Sequence, residues 1–350
     1  MSKPVENTIV GISIGDVNGV GCEVILKTFE DVRMLETCTP VIFANVKTIS
    51  NTKRLINSQV NFQRIDKLEN IIAGKINVIN VWPDADEVIL GVKIEVAGTY
   101  AVKSLQAATE ALKNNQIDVL VTAPINKKNI QSGEFNFPGH TDYLAQELQG
   151  DALMFMIHDQ LRVGLLTDHV PVKEVSSHIN EALIHKKIKL VVQSLIQDFT
   201  ITKPKVAVLG INPHCGDEGV IGNEDDAVLK PALVKLFDQG YMVFGPFAAD
   251  SFFGSGQYKN YDAVVAVYHD QGLIPFKTLA FGEGVNYTAG LNKVRTSPDH
   301  GTAYEIAGTG TANETSFRQA IYSAVDIFHA RKTHQEITVN PLKRSESVKE

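Results

Sequence analysis

Residues 205–216 read KVAVLGINPHCG: a short apolar, β-branched run, a glycine, an Asn-Pro pair and then a histidine. A run of this length bounded by turn residues reads as a strand. The helix candidate at 225–239 follows it, and residues 262–272, DAVVAVYHDQG, then repeat the same strand-then-histidine pattern. Working outward, further strand candidates are 8–14, 41–44, 76–81, 118–122, 153–157 and 162–167. Helix candidates are 23–29, 92–114, 141–149, 180–198 and 314–331. Apolar positions in 101–112 and 184–195 recur at three- and four-residue spacing, as an amphipathic helix requires. Strands alternating with helices predict βαβ units, a largely parallel sheet and the α/β class.

Of the 350 residues, 44% are apolar and 21% charged, a globular composition longer than one core usually serves, so two domains are expected with a break near Pro124. The net charge of −7, with no basic run before the last ten residues, argues against nucleic acid and anionic membrane as partners. The opening MSKPVENTIV lacks an apolar signal core, and no apolar run is long enough to cross a bilayer. Three cysteines (Cys22, Cys38, Cys215) make no CxxC pair, which suits a reducing compartment. A cytoplasmic protein is expected. The polar tail from residue 338 reads as a frayed terminus.

Three histidines follow strand candidates: His169 in LLTDHVP, His214 in VLGINPHCG and His269 in VVAVYHDQG. In parallel sheets the functional crevice lies beyond the carboxyl ends of the strands, so these imidazoles can converge there. Three neutral imidazoles make a transition-metal site with positions left open for substrate. Taken singly, each reads more readily as a loop hydrogen-bonder; it is the shared placement that favours a ligand set. His178, His185, His329 and His334 lie among charged residues by helical stretches and read as solvated, while His158 reads as a core histidine.

The segment TAPINKKNIQSGEFNFPGHTDYLAQEL runs from strand to glycine-containing loop to helix, with His140 and Thr141 at the helix start. Free backbone N–H groups and the helix dipole favour an anion there; Thr141 as a plain N-cap is the competing reading. Downstream, HDQGLIPFKTLAFGEGVNYTAGLNKVRTSPDHGTA shows no helical or strand period and reads as a binding loop. Its Lys277 and Arg295 suit phosphate and carboxylate, or are surface charges. GISIGDVNGVGCEV contains neither G-x-G-x-x-G nor a P-loop, so a standard Rossmann cofactor site is not expected.

Together these segments resemble the 4-hydroxythreonine-4-phosphate dehydrogenase family along nearly the whole chain. SIGDVNGVGCEV, PINK, PGHTDYL, TDHVPV, INPHCGDEG, VYHDQGLIPFK, GVNYTAGL and RTSPDHGTA follow in the family's order. The resemblance implies that His169, His214 and His269 hold a divalent metal, and that His140, Thr141, Lys277, Asn286 and Arg295 contact the phosphorylated substrate. HGTAYEIAGTGTANETS also resembles the NAD loop of isopropylmalate and isocitrate dehydrogenases. That pattern falls on His300, Gly301, Thr302, Ala303, Gly308, Gly310 and Asn313, with His300 and Asn313 against the adenine. The wider superfamily implies two α/β domains flanking a cleft, and a homodimer whose partner contributes to each site. On that basis 1–124 plus about 285–350 form the first domain, with the cofactor loop, and about 125–284 the second. Histidine ligands in place of those relatives' aspartates favour zinc, with magnesium, cobalt and manganese as alternatives.

The implied reaction oxidises 4-hydroxythreonine 4-phosphate with NAD to a β-keto acid, which decarboxylates to 3-amino-2-oxopropyl phosphate. Asp270, beside His269, is assigned either to orienting that ligand or to relaying the proton, and Lys277 is a second catalytic candidate. The family includes enzymes acting on erythronate or threonate 4-phosphate, an alternative within the same reaction class. The opening GDVNGVG, PINK and NFPGH depart from the better-known members, which leaves the substrate more open than the chemistry. A metal-dependent phosphatase is the alternative from another class, although it has no use for the HGTA loop.

Overall fold

All eight apolar runs read as strands enter a single sheet in the computed structural model, which describes residues 7–83, 88–132 and 135–340. Residues 1–6 and the tail beyond 340 lie outside the described residues. The strands are β1 (Thr8–Ser13), β2 (Cys38–Ala44), β3 (Phe62–Ile65), β4 (Ile76–Asn80), β5 (Val119–Thr122), β6 (Gly150–His158), β7 (Leu161–Leu165), β8 (Val206–Leu209), β9 (Val243–Phe247), β10 (Ala263–Ala266), β11 (Val285–Leu291) and β12 (Val294–Pro298). Their order across the sheet is β3-β4-β2-β1-β5-β12-β11-β6-β7-β10-β8-β9. Each flank is parallel, while β12, β11, β6 and β7 pair antiparallel to one another at the centre.

The helices that matter below are α1 (Gly21–Thr28), α2 (Val46–Leu55), α3 (Glu95–Lys113), α4 (His140–Glu147), α5 (Glu181–Gln197), α6 (Lys230–Asp238), α7 (His269–Leu279) and α8 (Thr315–Thr338). In α5 the apolar spacing buries Ile184, Ile188, Val191 and Leu195 completely. Asn180 caps its start by accepting from Leu183 N at 3.0 Å. Each such side chain contributes about 1.5–3 kcal/mol by leaving water. On the other flank, Ser104 of α3 donates to Phe43 O (2.6 Å) and accepts from Ile14 N (3.0 Å), tying that helix to β2 and β1.

One sequence expectation fails here. Residues 269–303 are not an irregular loop: Lys277 lies on α7, Asn286 on β11 and Arg295 on β12. The helical pattern of α7 is masked by Gly272 and Pro275 inside it. Glycine and proline are poor helix formers, so here packing against β7 and β10 overrides propensity. The two central strands show no alternation because β12 is buried at every position and β11 at most of them.

Candidate functional site

β7, β10 and β8 are consecutive neighbours and run parallel, so His169, His214 and His269 all stand just past one set of carboxyl ends. Gln271 stitches this edge together: its Oε1 accepts from Val267 N (2.7 Å) and its Nε2 donates to Gly210 O (2.7 Å). The rings of His169 and His269 face each other with centroids 6.2 Å apart. His269 Nδ1 donates to Asp270 Oδ1 at 2.7 Å, since a carboxylate only accepts, which leaves Nε2 as the ring atom turned to a ligand. Lys127 Nζ, which only donates, stands 3.4 Å from His169 Nε2, so that nitrogen is an acceptor. Two imidazoles, one oriented by a carboxylate, fit the donor chemistry of a divalent metal.

His214 does not join them. Among the described residues no group of three or more His, Cys, Asp or Glu side chains is assembled around one point. His214 instead opens a turn, residues 214–218, every one of which has positive φ, from 46° at Asp217 to 87° at Gly216. That left-handed turn, costly for non-glycine residues, is held from outside by the buried Asp225, which accepts from Ile211 N (2.8 Å) and Asn212 N (2.9 Å).

The residues expected to contact a substrate behave differently. His140, Thr141, His169, Asn286, Arg295, His300 and Gly301 line one cavity of about 230 Å³, together with Thr122, Lys127 and Ser297. β5 and β12 bring Thr122 and Arg295 side by side, β11 supplies Asn286, and the start of α4 supplies His140 and Thr141. Gly15, at φ +66° in the turn after β1, leaves room for this edge: a Cβ there would stand 2.2 Å from Pro124 O.

Arg295 decides the electrostatics. It is only 2% exposed and has no carboxylate partner among the described residues. Nε and Nη2 donate to Thr122 Oγ1 (3.1 and 2.5 Å), and Nη1 donates to Thr288 Oγ1 (3.1 Å). A guanidinium has five N–H donors, so two are left without a partner. Burial pushes its pKa down, the signature of a cation lacking its counter-charge. His140 is held well below its ordinary value by burial and by the nearby Arg295 and Lys127, so its imidazole is neutral at pH 7. His140 Nε2, Asn286 Oδ1 and His300 Nε2 are buried without hydrogen-bond partners. Unsatisfied buried polar atoms are costly, and three of them around one cavity mark a place where a ligand completes the bonding.

Lys277, expected to meet the phosphate beside His140 and Thr141, does not line this cavity. Within the chain it lies on the far side of His300, paired with Asp299 Oδ1 at 3.1 Å. There it lines a second cavity of about 320 Å³, with Val20, Val24, His300, Ala303, Ala312 and Asn313 among the walls. His300 borders both cavities, so the two meet at that imidazole. Asp270 borders neither.

Thr302, Gly308 and Gly310 act through the backbone. Thr302 O accepts from Val20 N at 2.9 Å. Gly308 and Gly310 take φ of +78° and +76°, which lets the loop turn back on itself. Two residues missed in the sequence hold that loop. Buried Glu23 accepts from Gly308 N and Ala312 N, both at 2.9 Å, and Lys27 Nζ donates to Gly310 O (3.1 Å) and Ala312 O (2.5 Å). Glu23 was visible as a charge inside the otherwise apolar start of α1, a position where a carboxylate needs buried donors. Asn313 Oδ1 accepts from Thr315 N at 2.8 Å, fixing its side chain at the head of α8.

Among known proteins, a Bacteroides thetaiotaomicron protein described as 4-hydroxythreonine-4-phosphate dehydrogenase is 46% identical over 342 residues, 97% of this chain and 94% of its own. A D-threonate 4-phosphate dehydrogenase of Cupriavidus necator is 35% identical over 91% of this chain and 97% of its own. The crystal structure of a 4-hydroxythreonine-4-phosphate dehydrogenase from Klebsiella pneumoniae superposes with a TM-score of 0.80 at 30% identity, covering 93% of this chain and 99% of that one. The family described as pyridoxal phosphate biosynthetic protein PdxA matches residues 36–324, and the chain belongs to that family.

Proposed function

We propose that this dehydrogenase oxidises 4-hydroxythreonine 4-phosphate to 2-amino-3-oxo-4-phosphooxybutanoate, which loses carbon dioxide to give 3-amino-2-oxopropyl phosphate for pyridoxal phosphate synthesis. The observation that carries the reading is Arg295: a buried cation without a carboxylate, beside three orphaned polar atoms, in a cavity that needs an anion. The phosphate accepts from Arg295, from the hydroxyl of Thr141 and from the backbone at the start of α4, where the helix dipole adds to the attraction. Neutral His140 donates one more hydrogen bond without adding charge. Anchoring the phosphate fixes the reacting carbon and so removes part of the entropic barrier.

His169 and His269 would hold a divalent cation, zinc by donor type, with His214 as the third ligand that the family resemblance implies. Such a cation supplies Lewis acidity that makes the substrate hydroxyl easier to deprotonate, and NAD supplies the hydride acceptor. Asp270 orients His269 through Nδ1 and is a positioning residue. The cavity beyond His300 takes the cofactor, with His300, Ala303 and Asn313 as walls and Glu23 and Lys27 as the strap beneath it. Lys277 belongs to that boundary through Asp299, whose carboxyl burial raises and Lys277 pulls back down.

The chain is read as two lobes meeting at the central antiparallel strands, 1–124 plus about 285–350 and about 125–284. We read it as acting as a cytoplasmic homodimer whose partner completes each site. The test is appearance of NADH with NAD, a divalent cation and a panel of four-carbon phosphates. Turnover of 4-hydroxythreonine 4-phosphate should exceed that of threonate and erythronate 4-phosphates by at least tenfold. The reverse order would move the chain to the threonate 4-phosphate enzymes, among which it has a relative at 35% identity.

A further inference from the structure

Among the side chains around the Arg295 cavity, Lys127 is the one cation besides Arg295, and the reading above gives it no role. It follows Pro124–Ile125–Asn126 in the turn after β5, and its stem lies against the head of α4: a Cβ on Gly139 would stand 3.9 Å from Lys127 Cε. The ammonium therefore sits between the helix start, where His140 and Thr141 face the cavity, and the histidine edge. It forms no ion pair with any carboxylate among the described residues. Its hydrogen-bond partner is His169 Nε2, at a long 3.4 Å. That nitrogen is the atom a divalent cation would take, and Lys127 would then be without this partner.

Charge bookkeeping points the same way. A phosphate monoester carries close to two negative charges at pH 7. Arg295 supplies one positive charge and is locked by its threonines, His140 is neutral, and Asp142 at the head of α4 is exposed and of the wrong sign. Lys277, the other lysine offered by the sequence, is neutralised by Asp299 across His300.

We infer that Lys127 is a further substrate-binding residue, the movable cation that pairs with the phosphate oxyanion opposite Arg295. This deepens the proposed function and rests on the phosphate being held in that cavity.

The probe is inorganic phosphate, titrated calorimetrically into the full-length protein at constant ionic strength. The comparison covers wild type, Lys127→Met, Lys127→Arg and, as a neighbouring control, Lys128→Met. Loss of one charge-assisted hydrogen bond predicts that Lys127→Met binds phosphate about tenfold or more weakly, that Lys127→Arg keeps most of the affinity, and that Lys128→Met matches wild type. Wild-type affinity in Lys127→Met overturns the inference and leaves Lys127 as a positioning residue for His169. Equal weakening in Lys128→Met overturns it as well, because the effect is then diffuse charge. If wild type itself binds no phosphate, the phosphate reading of the cavity fails first and this inference falls with it. If Lys127→Met does not fold, Lys127→Gln carries the same comparison.

Discussion

Arg295 is buried and Arg331 nearly so, and the molecule treats the two in opposite ways. Arg331 of α8 donates from Nε to Asp198 Oδ1 (2.6 Å), from Nη2 to Tyr287 OH (2.6 Å) and from Nη1 to Leu291 O (2.9 Å). Tyr287 OH and Ser194 Oγ in turn donate to Asp198 Oδ2, at 2.6 and 2.7 Å. Burial pulls the Arg331 pKa down, but Tyr287 and Asp198 more than offset it and leave it raised. Arg295 has hydroxyls where Arg331 has a carboxylate, and burial alone sets the direction of its shift, downward. A charge network that closes on itself fastens α8 to β11 and α5; one that stays open waits for a ligand.

The sharpest way to break the comparison is to remove each arginine in turn. Arg331→Met leaves Asp198 charged and buried without its partner, so unfolding should cost about 3–5 kcal/mol less, with KM for the phosphorylated substrate unchanged. Denaturant midpoints together with steady-state kinetics check it. A stable Arg331→Met would mean that the network is decorative.

Arg295→Met should do the reverse. Phosphorylated substrate should be captured roughly ten- to a hundredfold less well, the worth of one or two charge-assisted bonds, while stability changes by under about 1 kcal/mol because an unpaired buried charge is removed. A large stability loss with normal capture would make Arg295 a structural residue after all.

The smallest effect concerns pH. The folded pKa of His140 lies well below the ordinary 6.5, so the unfolded chain takes up a proton first as pH falls. Stability contributed by the neutral imidazole is therefore present above pH 6.5 and lost progressively below it, down to the folded pKa. His140→Gln should flatten the decline in melting temperature between pH 7 and pH 5. An unchanged slope in the variant would show that other groups control acid sensitivity.

The residues differ in how far the sequence exposed them. His140 and Thr141 were legible because a helix start after a glycine-containing loop has a local signature, and the three histidines because each follows an apolar run. Arg295 was legible only as a charge of undecided meaning, since nothing local says that β12 is buried at every position. α7 was hidden by its own Gly272 and Pro275. Lys127 was passed over because its neighbours across the cavity are 42 and 168 residues away, at His169 and Arg295.

By itself the sequence determined the α/β alternation, the strand runs, the amphipathic helices and the edge at which chemistry-bearing side chains emerge. These depend on period and on residues a few positions apart, which a linear chain records. Only the tertiary structure decided that Arg295 is sealed in without a carboxylate partner among the described residues, that Lys277 lines a cavity across His300 from His140 and Thr141, and that His214 sits in a left-handed turn and joins no group of three ligating side chains there. Those outcomes depend on which strands become neighbours in the sheet, and burial and charge pairing are properties of that neighbourhood and not of any residue's own type.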